Sequence, residues 1–316
     1  MVKHEHDHPM LQQALIWAAA AVEPAAEVLA VKRLEGGVSS LVYEILLQLG
    51  EAQRAVVLRL FNNEDWLRDE PELARHEARS LRMAAKFASV PTPEVIAFDE
   101  HGSVSGIPAV LMSRLAGEVV LAPPSMSRWL DHMGCALAAI HQAEADPGEM
   151  PWTYFRYCDG SKLDTSAWSS CPEQWQAAAA IVTQPEPAGP SCFIHRDYHP
   201  TNILWEQDQV SGVVDWVNGC IGPAGVDVGH CRVNLVMLHG LEAADEFLAA
   251  YCRHAGDAFA YDPYWDLVSL IDFAFWEPEV YGGWTALGVT GLTRDLMIER
   301  LDDYLLQLLR MKMEGG

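Results

Sequence analysis

A short stretch in the second half of the chain gathers side chains that accept protons or bind cations. It reads Cys-Phe-Ile-His-Arg-Asp-Tyr-His-Pro-Thr-Asn-Ile-Leu-Trp over residues 192–205. An apolar run enters the stretch and another leaves it, so its polar centre is predicted to be a loop between strands, where catalytic residues are often held. The carboxylate of Asp197 can take a proton from a hydroxyl, and the amide oxygen of Asn202 can bind a hard cation.

The residues after this loop predict a hairpin. Residues 203–205 and 210–214 are apolar and β-like, and a polar turn at 206–209 separates them. The open end of such a hairpin brings Asn202 and Asp215 to a cross-strand spacing of about 5 Å. Their oxygens suit one or two Mg²⁺ ions.

Phosphoryl transfer uses this set of groups. A carboxylate accepts the proton of the attacking hydroxyl, and two oxygen ligands hold the metal that bridges the phosphates. The kinase loop H-R-D-x-x-x-x-N is matched letter for letter by His195, Arg196, Asp197 and Asn202. The sequence therefore predicts Asp197 as the proton acceptor and Asn202 and Asp215 as metal ligands.

The same loop resembles that of the aminoglycoside phosphotransferase family, kinase-like enzymes whose relatives act on choline, homoserine, fructosamine and macrolides. The family's loop commonly ends in His-Pro-x-Asn-Ile-Leu, as residues 199–204 do, and Val-Asp-Trp at 214–216 resembles its metal-binding strand end. The resemblance implies an α+β, protein-kinase-like two-lobe fold. A small antiparallel-sheet N-lobe with one main helix would precede a larger, mainly helical C-lobe. The implied cofactors are ATP (or GTP) and Mg²⁺.

Two residues near the loop are implied as structural support. The stretch Gly-Pro-Ala-Gly-Val-Asp-Val-Gly at 222–229 resembles a family segment whose Asp braces the catalytic loop. The resemblance thus assigns support to Asp227 and to His195. Judged locally, Asp227 is equally well a helix N-cap, a position that Asp favours.

The resemblance also extends to a nucleotide-binding part. Glu-Gly-Gly-Val-Ser-Ser at 35–40 resembles the family's glycine-rich loop, which implies nucleotide contacts from Gly37, Val38, Ser39 and Ser40. Glycines let the backbone approach phosphate oxygens, and hydroxyls can donate to them. Taken alone, a Gly-Gly pair is usually an ordinary turn.

Arg59 occupies the strand position where protein kinases keep Lys, and Glu77 resembles the helix Glu that pairs with it. Arg also occurs there in the small-molecule family, although its wide fork differs from the point charge of Lys. The alternative is a surface Arg on an edge strand. Pro-Ala-Val-Leu-Met-Ser-Arg-Leu at 108–115 resembles the interlobe linker, which implies that Met112, Ser113 and Leu115 contact the base.

Periodicity places these segments on elements. Helices are predicted at residues 10–30, 71–88 and 127–143 and from 226 onward, and strands at 41–49, 55–60, 95–98 and 109–112 and within 191–217. Residues 146–190 look like an elaborate insertion around one or two helices. We expect an N-lobe at 1–115 that binds nucleotide and a C-lobe at 116–316 that holds the catalytic loop and the acceptor.

The composition and net charge exclude some classes of binding partner and indicate a cellular location. The 316 residues carry 21 Lys+Arg against 44 Asp+Glu, a formal charge of −23. Nucleic acid is not expected as a partner, because its binders need a basic footprint. An acidic protein attracts cations, which is compatible with a cationic acceptor, although solubility alone explains most acidic surfaces. The N-terminal residues have no apolar region of a signal peptide, no run is long enough to span a bilayer, and the seven cysteines form no CxxC pair. A cytoplasmic location with reduced thiols is therefore expected.

Residues 270–284 are the candidate acceptor-binding segment. Carboxylates beside aromatic rings suit a cationic ligand through charge pairing and cation–π contact, and the candidates here are Asp272, Trp276, Glu277 and Tyr281. An ordinary helix end and loop is the alternative. We expect Trp168 and Trp175 to be core residues and His141 to be structural. The acceptor's identity and the oligomeric state stay open.

Two other functions compete with a small-molecule kinase. The first is a metallohydrolase with ligands His195, Asp197 and His199, whose i, i+2, i+4 spacing shares one face of a strand. It gives no role to Asn202 or Asp215. The second is a non-catalytic, kinase-like nucleotide-binding protein. A P-loop enzyme is disfavoured, since no GxxxxGK[ST] run occurs.

Overall fold

The computed structural model describes residues 9–34, 40–86, 89–143 and 148–314. The chain forms two compact units, Met1–Ala116 with Gly212–Asn218, and Gly117–Ser211 with Gly219–Gly316. The sequence predicts one division, after residue 115. It does not foresee that the chain returns to the first unit for a short segment that contains Asp215.

The first unit is built around an antiparallel sheet. Its described elements are α1 (Pro9–Val22), β1 (Glu27–Arg33), β2 (Leu41–Leu49), β3 (Ala52–Leu60), α2 (Glu64–Asp69), α3 (Leu73–Ala84), β4 (Val95–Asp99) and β5 (Ala109–Ser113). The five strands pair in the order β1-β2-β3-β5-β4. The sheet and helices confirm the expected α+β class.

Alternation along β3 assigns its side chains to two different environments. Leu58 and Leu60 are fully buried in a core that α1 covers with Leu11, Leu15 and other apolar residues. Because successive side chains point to opposite faces of a sheet, Arg59 lies on the other face. α3 packs near β4 and β5.

The predicted helix at 10–30 is wrong in its second half. α1 ends at Val22, just before Pro24, and residues 27–33 form β1. The residue before a proline disfavours helical backbone, which explains the stop. β1 is an edge strand whose side chains are mostly exposed, so it lacks the in–out alternation by which a strand is predicted.

The second unit is mainly helical. Its described elements are β6 (Glu118–Val119), α4 (Met126–His141), α5 (Pro172–Val182), β7 (Ser191–Ile194), β8 (Ile203–Glu206), β10 (Cys220–Pro223), α6 (Ala224–His239), α7 (Leu241–Ala255), α8 (Tyr264–Ala274), α9 (Gly282–Ala286) and α10 (Arg294–Glu314). β9 (Gln209–Val213) begins in this unit and ends in the first. α4 packs on α7, and α6 packs on α7, α8 and α10.

The predicted hairpin is confirmed. β8 and β9 are neighbours in a sheet of order β6-β8-β9. The turn between them is Gln207-Asp208, and both residues have positive φ, 50° and 62°. Two consecutive left-handed residues are what a tight hairpin turn requires. β10 pairs antiparallel with β7.

Trp175 is fully buried, as expected of a core residue, and its ring meets that of half-buried Trp168 edge-on. All seven cysteines are free. None of the helices in the described ranges combines the length and apolar character that crossing a bilayer would require.

Candidate active site

The loop from His195 to Asn202 joins β7 to β8, and a buried carboxylate fixes its first turn. Asp227 Oδ2 accepts from the backbone N–H of His195 at 2.7 Å, and Oδ1 accepts from that of Arg196 at 2.6 Å. Asp227 lies in the first turn of α6, whose N-cap is Pro223. The N-cap alternative is therefore wrong, and Asp227 binds the loop directly.

Asp227 is itself held by His141, which in turn contacts Tyr251 on another helix. His141 Nε2, at the end of α4, lies 3.0 Å from Asp227 Oδ2, and its Nδ1 contacts the Tyr251 hydroxyl at 2.8 Å. Burial alone raises the pKa of the Asp227 carboxyl, but hydrogen bonds and charge from His141, and the neighbouring His195, hold that pKa below its ordinary value. His141 is thus a structural histidine, as expected.

Asp197 projects from this anchored loop with both carboxylate oxygens engaged. Asn202 Nδ2 donates to Asp197 Oδ2 at 3.1 Å and to its backbone oxygen at 2.9 Å. On the other side, Asp197 Oδ1 lies 3.1 Å from His230 Nε2 and 3.6 Å from His199 Nε2. Burial raises the pKa of the Asp197 carboxyl, but the neighbouring imidazoles outweigh it, so the pKa lies well below its ordinary value. Asp197 is therefore an anion at neutral pH.

Asn202 fits a hard cation. Its Nδ2 is committed to Asp197, which leaves the amide oxygen, the atom that would bind Mg²⁺, out of that hydrogen bond. Carboxamide and carboxylate oxygens are the ligands that Mg²⁺ prefers.

In the first unit, Arg59 is the centre of a buried ionic cluster. Its Nη1 donates to Glu77 Oε1 at 2.7 Å and to Asp215 Oδ1 at 2.6 Å, its Nη2 donates to Asp215 Oδ2 at 3.0 Å, and its Nε donates to Ser40 Oγ at 2.8 Å. Arg59 is 3% exposed, so the surface alternative is wrong. Burial lowers the pKa of the guanidinium, but the Asp215 and Glu77 carboxylates raise it by more, so the net pKa lies above its ordinary value. Arg59 is therefore a cation at every accessible pH.

Glu77 and Asp215 differ in their surroundings. Burial raises the pKa of Glu77 despite the attraction of Arg59, and its Oε2 has no hydrogen-bond partner within the described part of the chain. The side chain of Asp215 keeps 25% of its surface exposed. Its backbone has φ +65°, a left-handed conformation that costs energy outside glycine and often marks functional positions. Each Asp215 oxygen keeps a second lone pair, so this carboxylate also fits Mg²⁺.

The remaining nucleotide candidates lie at the end of β5. Met112 is buried, and Ser113 is bound to Glu94 through its backbone N–H and its hydroxyl oxygen. Leu115 is half-buried. Of the glycine-rich loop, Ser40 is bound to Arg59, whereas Gly37, Val38 and Ser39 lie outside the described residues.

The acceptor candidates separate into two pairs. Tyr281 lies edge-on to His199, with 6.2 Å between ring centroids, and Asp272 on α8 lies in electrostatic reach of His230. Burial raises the pKa of Asp272, although hydrogen bonds from Cys158 and the charge of His230 oppose it. In contrast, Trp276 is 77% exposed and Glu277 forms an ion pair with Arg294.

No sequence pattern indicates how the side chain of Arg196 is held. The guanidinium lies over the rings of Tyr157 at 4.0 Å and Phe155 at 4.2 Å, and its Nη2 donates to the Phe155 carbonyl at 2.7 Å. The backbone of Arg196 has φ +64°. The one available signal is the run of aromatic residues at 152–157, which has no periodicity linking it to residue 196.

The strand-based metal set is also wrong. Residues 195–199 do not form a strand, and His195 Nδ1 accepts from the N–H of Asp197 at 3.2 Å in a fully buried position. His230, which the sequence analysis does not single out, replaces His195 beside Asp197 and His199.

The chain is similar to known proteins over most of its length. A model described as the phosphotransferase enzyme family (APH) matches residues 30–265. A relative named homoserine kinase, from Methylocella silvestris BL2, is 26% identical over 197 residues, which cover 57% of this chain and 53% of the relative. The match therefore spans about half the length of that curated relative.

Two solved structures share the fold. A candidate aminoglycoside phosphotransferase from Ralstonia eutropha JMP134 superposes with a TM-score of 0.61 at 19% identity, covering 94% of this chain and 98% of the other. Amicoumacin kinase hAmiN, solved with AMP-PNP, Ca²⁺ and Ami, gives a TM-score of 0.58 at 12% identity, covering 94% and 93%. At these identities the likeness concerns the fold, which is the kinase-like one that the sequence predicts.

Proposed function

Because the chain belongs to the phosphotransferase enzyme family, we propose that it is an ATP- (or GTP-) dependent kinase acting on a hydroxyl of a small molecule. The observation that carries this proposal is the state of Asp197, an anionic carboxylate fixed by Asn202 in a loop that Asp227 anchors. Such a group can orient a hydroxyl and receive its proton.

In the proposed reaction the acceptor hydroxyl donates a hydrogen bond to Asp197. As the hydroxyl oxygen forms its bond to the γ-phosphorus, the bond to the bridging oxygen breaks, the nucleoside diphosphate leaves and Asp197 takes the proton. The backbone hydrogen bonds to Asp227 hold the loop in place. Pre-set geometry of this kind supplies much of the rate in phosphoryl transfer.

The other predicted residues receive roles in this proposal. Asn202 and Asp215 are the proposed Mg²⁺ ligands, and the ion would neutralise charge on the phosphates when bound. Arg59, held by Glu77 and Ser40, would position the phosphates with the loop containing Gly37, Val38 and Ser39. Met112, Ser113 and Leu115 would contact the base, and His195 and Asp227 would support the loop.

The acceptor is proposed to carry an amine. The homoserine kinase relative makes homoserine the first compound to test, and the charge of −23 favours cations in general. Asp272 lies near His230 on α6 and Tyr281 lies against His199 in the loop, and these two are the favoured contacts. Trp276 and Glu277 are the outer candidates. A cytoplasmic location is part of this proposal, because ATP is the proposed cofactor and the seven cysteines form no CxxC pair.

The test is a coupled assay of ADP or GDP release with Mg²⁺. The panel contains homoserine, choline and other amino alcohols, aminoglycosides, macrolides and sugars, with Asp197→Asn as the blank. We expect release that depends on one acceptor class and is absent in the blank. Nucleotide binding without transfer to any acceptor would instead favour the non-catalytic alternative.

A further inference from the structure

Three side chains in the second unit converge with metal-binding atoms facing one another. Asp197 Oδ1, His199 and His230 each offer one ligand atom, and these atoms all lie within 4.8 Å of one another. Tetrahedral zinc bonds of about 2.0–2.1 Å place neighbouring ligand atoms roughly 3.3 Å apart. The two Asp197–imidazole separations, 3.1 and 3.6 Å, bracket that value.

Neighbouring groups orient two of these ligands. The Thr201 hydroxyl lies 2.7 Å from His199 Nδ1, so the other ring nitrogen, Nε2, is turned to Asp197. Asn202 donates to Asp197 Oδ2, which leaves Oδ1 on the side of the imidazoles. Such outer hydrogen bonds set the tautomer and direction of metal-binding side chains.

The chemistry of the three groups selects a class of metal. Two imidazoles and one carboxylate suit Zn²⁺ and its borderline-soft neighbours, whereas Mg²⁺ prefers an all-oxygen set. The rings of Phe273 and Tyr281 lie against His230 and His199 at 5.4 and 6.2 Å between centroids. These rings pack beside the two imidazoles, while the side chains of Asp197 and His230 keep 30% and 22% of their surface exposed, so a metal ion can reach them from solvent.

We propose that Asp197, His199 and His230 form a three-ligand Zn²⁺ site with its fourth position open, and that Zn²⁺ bound there blocks phosphoryl transfer. The metal would occupy the carboxylate oxygen that accepts the acceptor's proton. The blocking half of this inference rests on the proposed function, whereas the binding half does not. This site is separate in ligands and metal from the Mg²⁺ ligands Asn202 and Asp215.

Binding is tested by calorimetric titration with Zn²⁺ and by the visible spectrum of Co²⁺ as a zinc substitute. His4, His6 and His8 would themselves bind zinc, so every protein carries glutamine at those three positions. The variants are His230→Gln and His199→Gln, which keep side-chain size and polarity. The control is His254→Gln, which removes a histidine that contacts Asp131 on another part of the unit.

We expect one equivalent of Zn²⁺, a four-coordinate Co²⁺ spectrum, and more than about 100-fold weaker zinc binding in both site variants but not in the control. Excess Mg²⁺ should not compete. Equal zinc affinity in all proteins, or none in the unsubstituted site, overturns the proposal. The thermal unfolding midpoints of the variants are measured first. A variant that does not fold is replaced by Thr201→Val, which removes the hydroxyl beside His199. In that variant we expect zinc binding to be about tenfold weaker.

Inhibition is tested in zinc-buffered assays, because nucleotide also binds the metal. The free Zn²⁺ concentration that halves turnover should equal the dissociation constant of Zn²⁺ measured by calorimetry. In His230→Gln both values should rise by the same factor. Turnover that is unaffected at saturating Zn²⁺ overturns the blocking half. If no acceptor is phosphorylated yet one Zn²⁺ binds through these histidines, the proposed function fails and the metal site stands.

Discussion

At the scale of single residues, contacts with neighbouring side chains fix the orientation of the proposed catalytic and nucleotide-binding residues. Asp197 is oriented by Asn202 on one oxygen and by two imidazoles on the other. Arg59 donates four hydrogen bonds to three side chains, and two separate nitrogens reach the two oxygens of Asp215, a paired contact that the single ammonium nitrogen of Lys cannot make. The substitution that distinguishes this chain from protein kinases is therefore accommodated by specific partners.

We expect Asp197→Asn to lower kcat by about 10²–10⁴-fold, because the amide cannot take a proton. Nucleotide affinity should stay within about threefold, since Asn keeps the size and polarity of the side chain. Steady-state kinetics and nucleotide titration measure both. Asp208→Asn, in the exposed hairpin turn, is the control and should leave both unchanged. A near-normal rate in Asp197→Asn would remove this carboxylate from its proposed role.

Arg59→Met tests the buried ionic cluster. The change leaves Glu77, which is 1% exposed, without its cation, and a stranded buried charge costs about 3–5 kcal/mol. We expect urea unfolding to show a loss of that size, and the double variant Arg59→Met, Glu77→Met to recover a large part of it. Additive losses in the double variant would mean that the pair is not energetically coupled.

At the scale of elements, one carboxylate binds together three segments of the second unit. Asp302 on α10 is 4% exposed. It accepts from Trp175 Nε1 on α5 at 2.8 Å, from the Ser169 hydroxyl at 2.7 Å and from the Ser170 N–H at 2.8 Å. Burial raises the pKa of Asp302, but these hydrogen bonds outweigh it and hold the pKa below its ordinary value of 3.8.

We expect Asp302→Asn to lower the free energy of unfolding by about 2–3 kcal/mol at neutral pH, because a charged acceptor is lost and an amide N–H₂ faces donors. A lowered folded-state pKa gives stability that is complete above the unfolded value and lost as pH falls through the folded one. The difference between wild type and variant should therefore be constant above about pH 5 and shrink below about pH 4. Urea midpoints across pH measure it, with exposed Asp303→Asn as the neighbouring control. A difference that grows on acidification would contradict this assignment.

At the scale of the whole molecule, the excess of acidic residues is the dominant property. A formal charge of −23 produces a negative potential that attracts cations over distances of about a Debye length. Inside the second unit, acidic side chains also neutralise a buried cation. Arg232, fully buried on α6, contacts Asp266, Asp245 and the Tyr261 hydroxyl.

We expect ionic strength to separate acceptor classes. Raising NaCl from about 0.02 M to about 0.3 M shortens the Debye length from roughly 20 Å to under 10 Å. The kcat/KM for a net-positive acceptor should fall several-fold, whereas that for an uncharged acceptor should change little. Salt effects on nucleotide binding are common to both acceptor classes, so they cancel in the ratio of the two kcat/KM values. A ratio independent of salt would show that the overall charge plays no part in acceptor binding.

The sequence alone was sufficient to predict those features that depend on residues close together in the chain. The α+β class, the hairpin of β8 and β9 and the family all follow from spacing, alternation and the His195–Asn202 loop. These features can be read from a sequence because turn residues, strand alternation and catalytic spacing each involve only a few consecutive residues.

Tertiary structure decided what depends on distant segments meeting. His230 lies 33 positions after Asp197 on a helix whose own pattern gives no hint of the contact. The aromatic contacts of Arg196, the anchoring of the loop by Asp227 and the edge strand β1 likewise depend on packing. Side chains brought together by a fold carry no periodicity that relates one to the other, so only the folded chain reveals them.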